Sequence, residues 1–411
     1  LAVIEKKNDK NVRKILEKWQ IDYEVIGEIT DTKRVVFTSQ NKTVVDLPVN
    51  IIVDDAPEYD REFYIPKKRS LNNYDLSNLS IDDMVNNLLN DLNYLDKSWV
   101  HNQYDSTVMG DTVREPGHAT GIVKLHDSEK VIGASTDCNP LYIKINPELG
   151  MIYTVLESYR NLICSNIKPL AITNNLNFAS PLDPNIMGEI VLSINGLKRA
   201  AKELDTPIVS GNVSLYNQTN DKPIKPTPVI GMVGSNQNIN NLIANKFQNI
   251  GDNIVLIGDS LGPNHSPYFL QDQNLVSDSC LFNDLLEIDF QKEKIVKEAI
   301  FEMSSNKTLN SCNDISRGGV FISLIKMTHK DLGFDIKMDN HIDIFCEYNA
   351  GYVFTVNKDN YSNLEKYLKD KKINYLKIGE VTNAELKINS KNLNYSDIMN
   401  KYFINFKKII S

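Results

Sequence analysis

Apolar and polar residues change their spacing along the chain, and this spacing predicts where helices and strands lie. Between residues 184 and 204 apolar side chains recur every three or four positions, which is typical of a helix with one buried face. Asp183 and Pro184 supply an N-cap and a first-turn proline for this helix. Short apolar runs at 169–173 and 207–209 flank it and predict strands. Strands and helices alternate along most of the chain, which favours an α/β fold.

A pattern of helix, turn and strand occurs twice, near the two ends of the chain. The first copy, KILEKWQIDYEVIGEITD, covers residues 14–31, and the second, YLKDKKINYLKIGEVTN, covers residues 367–383. An apolar segment that predicts a strand precedes each copy, LAVIEKK in the first case and GYVFTVNK in the second. We interpret the pair as a tandem duplication, with the tail of the first unit and the whole of the second in this chain. The alternative is that IGE(I/V)T is only a common way for a strand to end.

The pattern between the two copies predicts a linker and two α/β domains. Residues 1–45 are expected to be the remnant of the first unit, and residues 46–79 a linker, because prolines and acidic residues cluster there without periodicity. Residues 80–235 and 236–393 form the two predicted domains of the complete unit, and residues 394–411 a tail helix. The chain starts at Leu1 without a methionine or a secretory signal, so we expect an upstream truncation.

Composition and charge narrow the class of function. The 411 residues include 45 basic and 53 acidic side chains, a formal net charge of −8, which argues against a surface for nucleic acid or anionic membrane. The apolar runs are shorter than the roughly 18–20 residues that a membrane span needs. The five cysteines are scattered and form no CxxC pair, so the sequence supports neither a disulfide framework nor a zinc ribbon and favours a reducing cytoplasm. We therefore expect small molecules or proteins as partners.

Polar side chains follow both strands that flank the predicted helix. The strand PLAIT continues into NNLNF, and the strand PIV continues into SGNVSLYN. Amides and hydroxyls in such a position can contact phosphates, sugars or hydrated metals, and Gly211 allows the backbone close to a ligand. The alternative is that Asn, Ser and Gly are simply the usual residues of turns. Composition and spacing leave both interpretations open.

Longer motifs in the same region identify a family resemblance. PLAITNNLNFASP, the helix start MGEIV, TPIVSGNVSLYNQTN and KPTPVIGMVG closely resemble the second half of the phosphoribosylformylglycinamidine synthases, in the same order and spacing. The resemblance covers essentially the whole chain. It includes the linker VVDLPVNIIVDDAPEYDR, the later segment STDCNPLYIKINPELG and the helix start NDISRGGVFISL.

The resemblance implies both a fold and a reaction. The implied α/β (α+β) fold is PurM-like, with a barrel-forming N-terminal domain, a flanking α/β C-terminal domain and a remnant of a preceding duplicated unit. The implied reaction is the ATP-dependent conversion of formylglycinamide ribonucleotide (FGAR) to formylglycinamidine ribonucleotide (FGAM), a ligase step of purine biosynthesis in the cytoplasm. Glutamine supplies the ammonia, and ATP and Mg²⁺ are the implied cofactors.

Four residues acquire roles by their match to the family motifs. Gly211 matches a position that approaches ATP, and Asn174 matches an ATP-binding position where the family usually has Asp. Asn212 matches a position that ligates Mg²⁺ through its amide oxygen, a ligand that a hard cation accepts. Ser214 matches a position that hydrogen-bonds the ribonucleotide substrate.

A later motif predicts a possible auxiliary phosphate site. Asp314, Ser316, Gly318 and Gly319 resemble the DxSxGG element, which opens a helix whose backbone N–H groups can hold a phosphate. Arg317 replaces the acidic residue that is common within this element. The alternative is that the two glycines serve tight helix packing.

The remaining expectations concern the missing half and the partners. The family's catalytic histidine lies in the first unit, so we expect no catalytic residue in this fragment and assign none of its histidines as a general base: His101, His118, His126, His265, His329 and His341. The expected partners are FGAR, ATP, the missing N-terminal half, a separate glutaminase and a small bridging subunit, as in the small-type enzymes. Two alternatives stay open: a noncatalytic scaffold half that binds ADP, and another PurM-superfamily synthetase such as aminoimidazole ribonucleotide synthetase or selenophosphate synthetase.

Overall fold

A computed structural model describes residues 1–66, 72–276, 282–329 and 331–410, and the chain divides into two units, residues 1–60 and 61–411. Residues 46–60, which the sequence assigned to the linker, thus belong to the first unit. Residues 67–71 of the predicted linker lie outside the described residues.

The first unit contains a helix, a hairpin and a short second helix. Its elements are α1 (Asp9–Lys18), the antiparallel strands β1 (Arg34–Ser39) and β2 (Lys42–Pro48), and α2 (Val49–Ile52). The two strands predicted around the first repeat, LAVIEKK and the IGEIT segment, have no strand structure, so that prediction was wrong. A strand requires a neighbour for its backbone N–H and C=O groups, and the described residues pair none with either segment.

The first part of the second unit builds an open sheet covered by helices. Its helices are α3 (Ile81–Asn90), α4 (Ser98–His101), α5 (Pro140–Ile145), α6 (Pro147–Ile163) and α7 (Pro184–Leu204). Its strands are β3 (Thr112–Arg114), β4 (Gly121–Lys124), β5 (Val131–Cys138), β6 (Lys168–Asn177), β7 (Ile208–Ser214), β8 (Gln218–Thr219), β9 (Lys222–Pro223) and β10 (Val229–Asn236).

Six of these strands pair in the order β3-β4-β5-β10-β6-β7, which leaves β7 at the edge of the sheet. Only β6 and β7 are parallel within this order, because α7 connects them as a crossover helix. Helix α6 packs against β5, β10 and β6 on one face, and α7 packs against α6. The opposite face is exposed, and Ile132, Leu170 and Val233 present 38%, 46% and 41% of their surface there. The barrel-forming domain is therefore an open sheet with one bare face in this chain.

The crossover helix α7 has the bounds that the sequence predicted. The Asp183 side chain accepts a hydrogen bond from the Asn185 backbone N–H, Pro184 occupies the first turn, and Asp205 ends the helix in a left-handed conformation. Part of the predicted linker crosses its first turn. The Tyr64 N–H donates to the Pro184 carbonyl at 3.0 Å, and a Cβ on Gly188 would lie 2.0 Å from the Tyr64 carbonyl oxygen.

The second part of this unit is a seven-stranded sheet in the order β12-β14-β11-β15-β13-β16-β17. Its strands are β11 (Asn253–Ser260), β12 (Ser311–Asp314), β13 (Leu332–Ile336), β14 (Tyr348–Val356), β15 (Tyr375–Asn383), β16 (Leu386–Ile388) and β17 (Lys391–Leu393). Its helices are α8 (Pro267–Asp272), α9 (Phe290–Ser305), α10 (Gly319–Met327), α11 (Lys358–Asp370) and α12 (Tyr395–Ile410). The second repeat has its predicted strand, helix and strand as β14, α11 and β15, and α12 covers the predicted tail helix.

These elements confirm the α/β (α+β) class.

A buried ion pair joins the two parts of the second unit, because Arg160 of α6 and Glu293 of α9 are 5% and 1% exposed and bonded to each other. Within the described residues, every helix is too short or too polar to cross a membrane.

Candidate functional site

The four site residues predicted around α7 lie on two neighbouring strands. In the parallel pair of β6 and β7, Asn174 is opposite Gly211 and Asn177 is opposite Ser214. Asn212 lies between these two pairs, opposite Asn175. Because the carboxyl ends of parallel strands share one edge of a sheet, α7 returns the chain so that both polar segments meet there.

The two faces of these strands divide the predicted residues into two sets. Side chains alternate along a strand, so Asn212 and Ser214 share one face and Gly211 points to the other. Asn174 points to the same side as Gly211, because a Cβ on Gly211 would lie 2.8 Å from the Asn174 amide nitrogen. The structure therefore brings all four residues to one edge but not to one face. Gly211 has a local function as well, since it leaves room for the Asn174 side chain.

The face that carries Asn212 presents a ladder of polar side chains. The Thr173 and Ser210 hydroxyls are 2.7 Å apart, and the Asn212 amide nitrogen donates to the Asn175 amide oxygen at 3.0 Å. This bond turns the Asn212 amide oxygen outward, where it accepts no hydrogen bond from the described residues. Asn175 was not singled out from the sequence, although its position in NNLNF, one residue after Asn174, was the available signal.

Ser214 is held by a residue that the sequence analysis did not select. The Asn217 amide nitrogen donates to the Ser214 hydroxyl at 3.1 Å, to the Ser214 carbonyl at 2.8 Å and to the Phe178 carbonyl at 3.0 Å. These bonds close the turn after β7 against the end of β6. Asn212 is exposed and Ser214 half-buried, so both can reach a ligand from solvent.

The chemistry of this edge bears on the magnesium ligand that the family resemblance implies at Asn212. An outward amide oxygen is a suitable ligand for Mg²⁺, which usually takes its other ligands from phosphates and water. Among the described residues, no group of three or more His, Cys, Asp or Glu side chains is arranged to hold a metal ion. Asn212 thus fits as one contact of a metal–nucleotide complex.

The later motif lies at the start of α10 and is tightly packed. Asp314 ends β12 and is 5% exposed, while Gly318 and Gly319 have φ angles of +82° and +66°. A Cβ on Gly319 would lie 2.6 Å from the Ile344 carbonyl oxygen. Both glycines are therefore needed for packing and backbone conformation. The auxiliary phosphate at Asp314, Ser316, Gly318 and Gly319 stays a prediction.

Two further carboxyl groups share the surroundings of Asp314. Burial, with the nearby charges of Asp137 and Asp314, raises the pKa of Glu157 to about 8. Burial, with the charge of Asp314, raises the pKa of Asp137 to about 6. Burial raises the pKa of Asp314 as well. The Ser158 hydroxyl donates to Asp137 at 2.6 Å. The position of Asp137 at the end of a strand was a signal for this cluster, but its neighbours come from distant parts of the chain.

Comparison with known proteins identifies the two parts of the second unit. Residues 117–235 match the AIR synthase related protein, N-terminal domain, and residues 249–389 match the corresponding C-terminal domain. The chain belongs to the AIR synthase related family. The first match ends at residue 235, within β10, and the second begins at residue 249, before β11.

Two similar proteins carry the name of the same enzyme subunit. The chain is 34% identical over 404 residues to phosphoribosylformylglycinamidine synthase subunit PurL of Pelagibacter ubique. This alignment covers 95% of the present chain and 54% of the relative. The chain is 32% identical over 422 residues to PurL of a Sulfurovum species. This second alignment covers 100% of the present chain and 56% of the relative. The chain therefore spans about half the length of these relatives.

Solved structures agree in fold. Thermotoga maritima PurL complexed with ATP matches 93% of this chain and 54% of its own length, with a TM-score of 0.62 and 20% identity. The same enzyme complexed with FGAR matches 93% of this chain and 52% of its own length, with a TM-score of 0.63 and 20% identity.

Proposed function

We propose that this chain is part of a phosphoribosylformylglycinamidine synthase, which converts FGAR to FGAM with ATP and glutamine-derived ammonia in purine biosynthesis. The observation that carries the proposal is the outward amide oxygen of Asn212 beside Ser214, at an exposed edge of a chain that aligns almost entirely with PurL. Solved PurL proteins complexed with ATP and with FGAR support the same pair of ligands here.

Each residue of the β6–β7 edge would contact a different part of the bound ligands. The Asn212 amide oxygen would contact Mg²⁺, which screens the negative charge of the triphosphate when it is bound. Asn175 orients this amide, because its oxygen accepts the Asn212 N–H. The Ser214 hydroxyl, held by Asn217, would hydrogen-bond the ribonucleotide. The Gly211 backbone would approach ATP, and Asn174 would offer it an uncharged amide from the other face.

The proposal includes a missing half. We infer that the chain corresponds to the C-terminal half of a small-type enzyme, and that the N-terminal half supplies the catalytic histidine. None of the histidines of this chain lies on β6 or β7. Burial, together with the charges of neighbouring Arg114 and Lys246, lowers the pKa of His118 to about 4, so His118 is uncharged at neutral pH. A separate glutaminase and a small bridging subunit complete the proposed cytoplasmic assembly.

Reconstitution tests the reaction. The chain would be produced together with the N-terminal half of a PurL relative, and phosphate release from ATP would be measured with FGAR and ammonium. We expect release that depends on FGAR and ammonium together, and FGAM as the product. Release that needs neither would reject the reaction. Bound ADP without any turnover in an otherwise active assembly would favour the noncatalytic scaffold.

A further inference from the structure

A cavity of about 290 Å³ lies between α4 and α12, and no residue of β6 or β7 lines it. Its volume is just below the roughly 300–1,000 Å³ that is typical of sites for drug-sized ligands, so it suits a molecule smaller than a nucleotide. The aromatic residues Trp99 and Phe403 line it, and so do one acid, Asp96, and one base, Lys407. The cavity thus combines two aromatic residues with one charge of each sign.

Asp96 joins the α4 wall of the cavity to α12. The Asp96 backbone N–H donates to the Tyr402 carbonyl of α12 at 3.0 Å. One oxygen of the Asp96 carboxylate, Oδ1, accepts the Ser98 N–H at 2.9 Å, at the start of α4. The other oxygen, Oδ2, accepts no hydrogen bond from the described residues. Asp96 is therefore a positioned carboxylate with one oxygen left for a ligand.

The two lysines near Asp96 direct their ammonium groups to backbone carbonyls. Lys97 donates to two carbonyls in the turn after α3, one of them at 2.7 Å. Lys246 donates to the Lys326 carbonyl at 2.5 Å. Within the described part of the chain, neither lysine makes an ion pair with Asp96, although each attracts it at longer range. The Asp96 carboxylate consequently has no cation in direct contact.

Lys407 supplies the opposite charge from the α12 wall. It is exposed and makes no ion pair with any residue that the structure describes. A ligand that carries only a carboxylate would leave Asp96 without a counterion, and a ligand that carries only an ammonium group would do the same to Lys407. A zwitterion pairs with both charges, and aromatic residues offer apolar area to the rest of the molecule. An α-amino acid combines these features in a small volume.

From the unpaired charges of Asp96 and Lys407 and the aromatic lining, we propose that this cavity binds a free α-amino acid with an apolar side chain. The ammonium group of the ligand contacts Asp96, its carboxylate contacts Lys407, and its side chain packs against Trp99 and Phe403. This site is independent of the reaction proposed above.

The fluorescence of Trp99 reports on binding at the cavity. The chain has two tryptophans, and Trp19 is exposed in the first unit, so Trp19→Phe leaves Trp99 as the one tryptophan. The full chain with Trp19→Phe would be titrated with leucine, methionine and phenylalanine, and tryptophan emission would be recorded. We expect at least one of these amino acids to change the emission in a saturable manner, with a Kd on the order of 1 mM.

Removing either charge should weaken this binding. Asp96→Asn keeps an acceptor for the Ser98 N–H but loses the charge, and Lys407→Met loses the ammonium group. Each variant should raise the Kd roughly fivefold. Asp359→Asn and Lys408→Met, at exposed positions outside the cavity, are the matched controls and should leave the Kd unchanged.

Modified ligands test the same two charges on the unaltered cavity, so this result does not depend on the folding of the variants. The N-acetyl derivative of the bound amino acid lacks the ammonium group, and its methyl ester lacks the carboxylate. Each should bind at least about fivefold more weakly than the amino acid itself.

Three results would overturn the proposal. The first is the absence of a saturable change with all three amino acids. The second is an unchanged Kd in Asp96→Asn or Lys407→Met. The third is a derivative, acetylated or esterified, that binds as tightly as the amino acid, because the cavity would then recognise one charge or none.

Discussion

The buried pair of Arg160 and Glu293 allows a quantitative prediction about how the two parts of the second unit are held together. Arg160 bonds Glu293 through Nη2 and Nε, the latter at 3.2 Å, and Glu293 also accepts the Ala350 N–H at 3.0 Å. With 5% and 1% exposure, neither side chain can be rehydrated in place if its partner is lost. Glu293→Ala should therefore lower the free energy of unfolding by about 3–5 kcal/mol.

A double variant separates the charge from the packing. Arg160→Met combined with Glu293→Leu removes both charges, so the cost of an unpaired buried cation disappears. The Ala350 N–H still loses its acceptor, which leaves a cost of about 1–3 kcal/mol. The double variant should thus be more stable than Glu293→Ala alone. Lys371→Ala is the control, because it removes an exposed ion pair with Glu302 and should cost at most about 1 kcal/mol.

Urea unfolding followed by circular dichroism and by tyrosine fluorescence measures these differences. A cost below about 1 kcal/mol for Glu293→Ala would refute the reasoning, and so would a double variant that is less stable than the single one. Unfolding curves from the two probes that do not coincide in Glu293→Ala would show that its unfolding is no longer two-state.

Further predictions concern individual positions. Gly319→Ala forces a Cβ against the Ile344 carbonyl at a φ of +66°, so thermal unfolding should show a loss of about 2–4 kcal/mol; an unchanged midpoint would contradict the packing function. Gly211→Ala should displace the Asn174 side chain and weaken ATP binding in the reconstituted enzyme by roughly tenfold, measured by titration; unchanged affinity would mean that neither residue contributes. The pKa of Glu157 rises from 4.5 to about 8 in the folded chain, so the folded state binds this proton more tightly and the free energy of unfolding should fall as pH rises through that interval. Urea unfolding at about pH 5 and about pH 8.5 measures this decrease, and Glu157→Gln should abolish it. A decrease of the same size in Glu157→Gln would assign it to another group.

Local patterns predicted those elements that carry their own signals. The cap at Asp183 and the apolar spacing of α7 define a helix almost independently of its surroundings. The chain then has to return beside β6, which placed Asn212 and Ser214 together. By contrast, IGEIT and IGEVT have nearly the same letters, but only the second forms a strand, because β11 and β13 lie on either side of β15. Whether a segment forms a strand depends on neighbouring strands, which its own residues do not specify.

The site shows the same limit. The motif placed Asn174 and Asn212 at one edge, but the alternation of side chains sends them to opposite faces of the sheet. Asn217 and Asn175 act through hydrogen bonds to the predicted residues, and those bonds follow from the register of β6 and β7. The enclosure of Arg317 by Tyr94 and Tyr268 joins positions that are far apart in the chain, so no local pattern could indicate it.

The central claim is that the β6–β7 edge holds a metal-bound triphosphate and the ribonucleotide. The most direct test measures FGAR- and ammonium-dependent ATP turnover in the reconstituted enzyme for Asn212→Ala and Ser214→Ala. Asn195→Ala and Ser362→Ala, at exposed helix positions, serve as matched controls. The account predicts that kcat/KM falls at least about a hundredfold in the first two variants, with unfolding midpoints like those of the controls. Turnover equal to that of the controls in both Asn212→Ala and Ser214→Ala would contradict it.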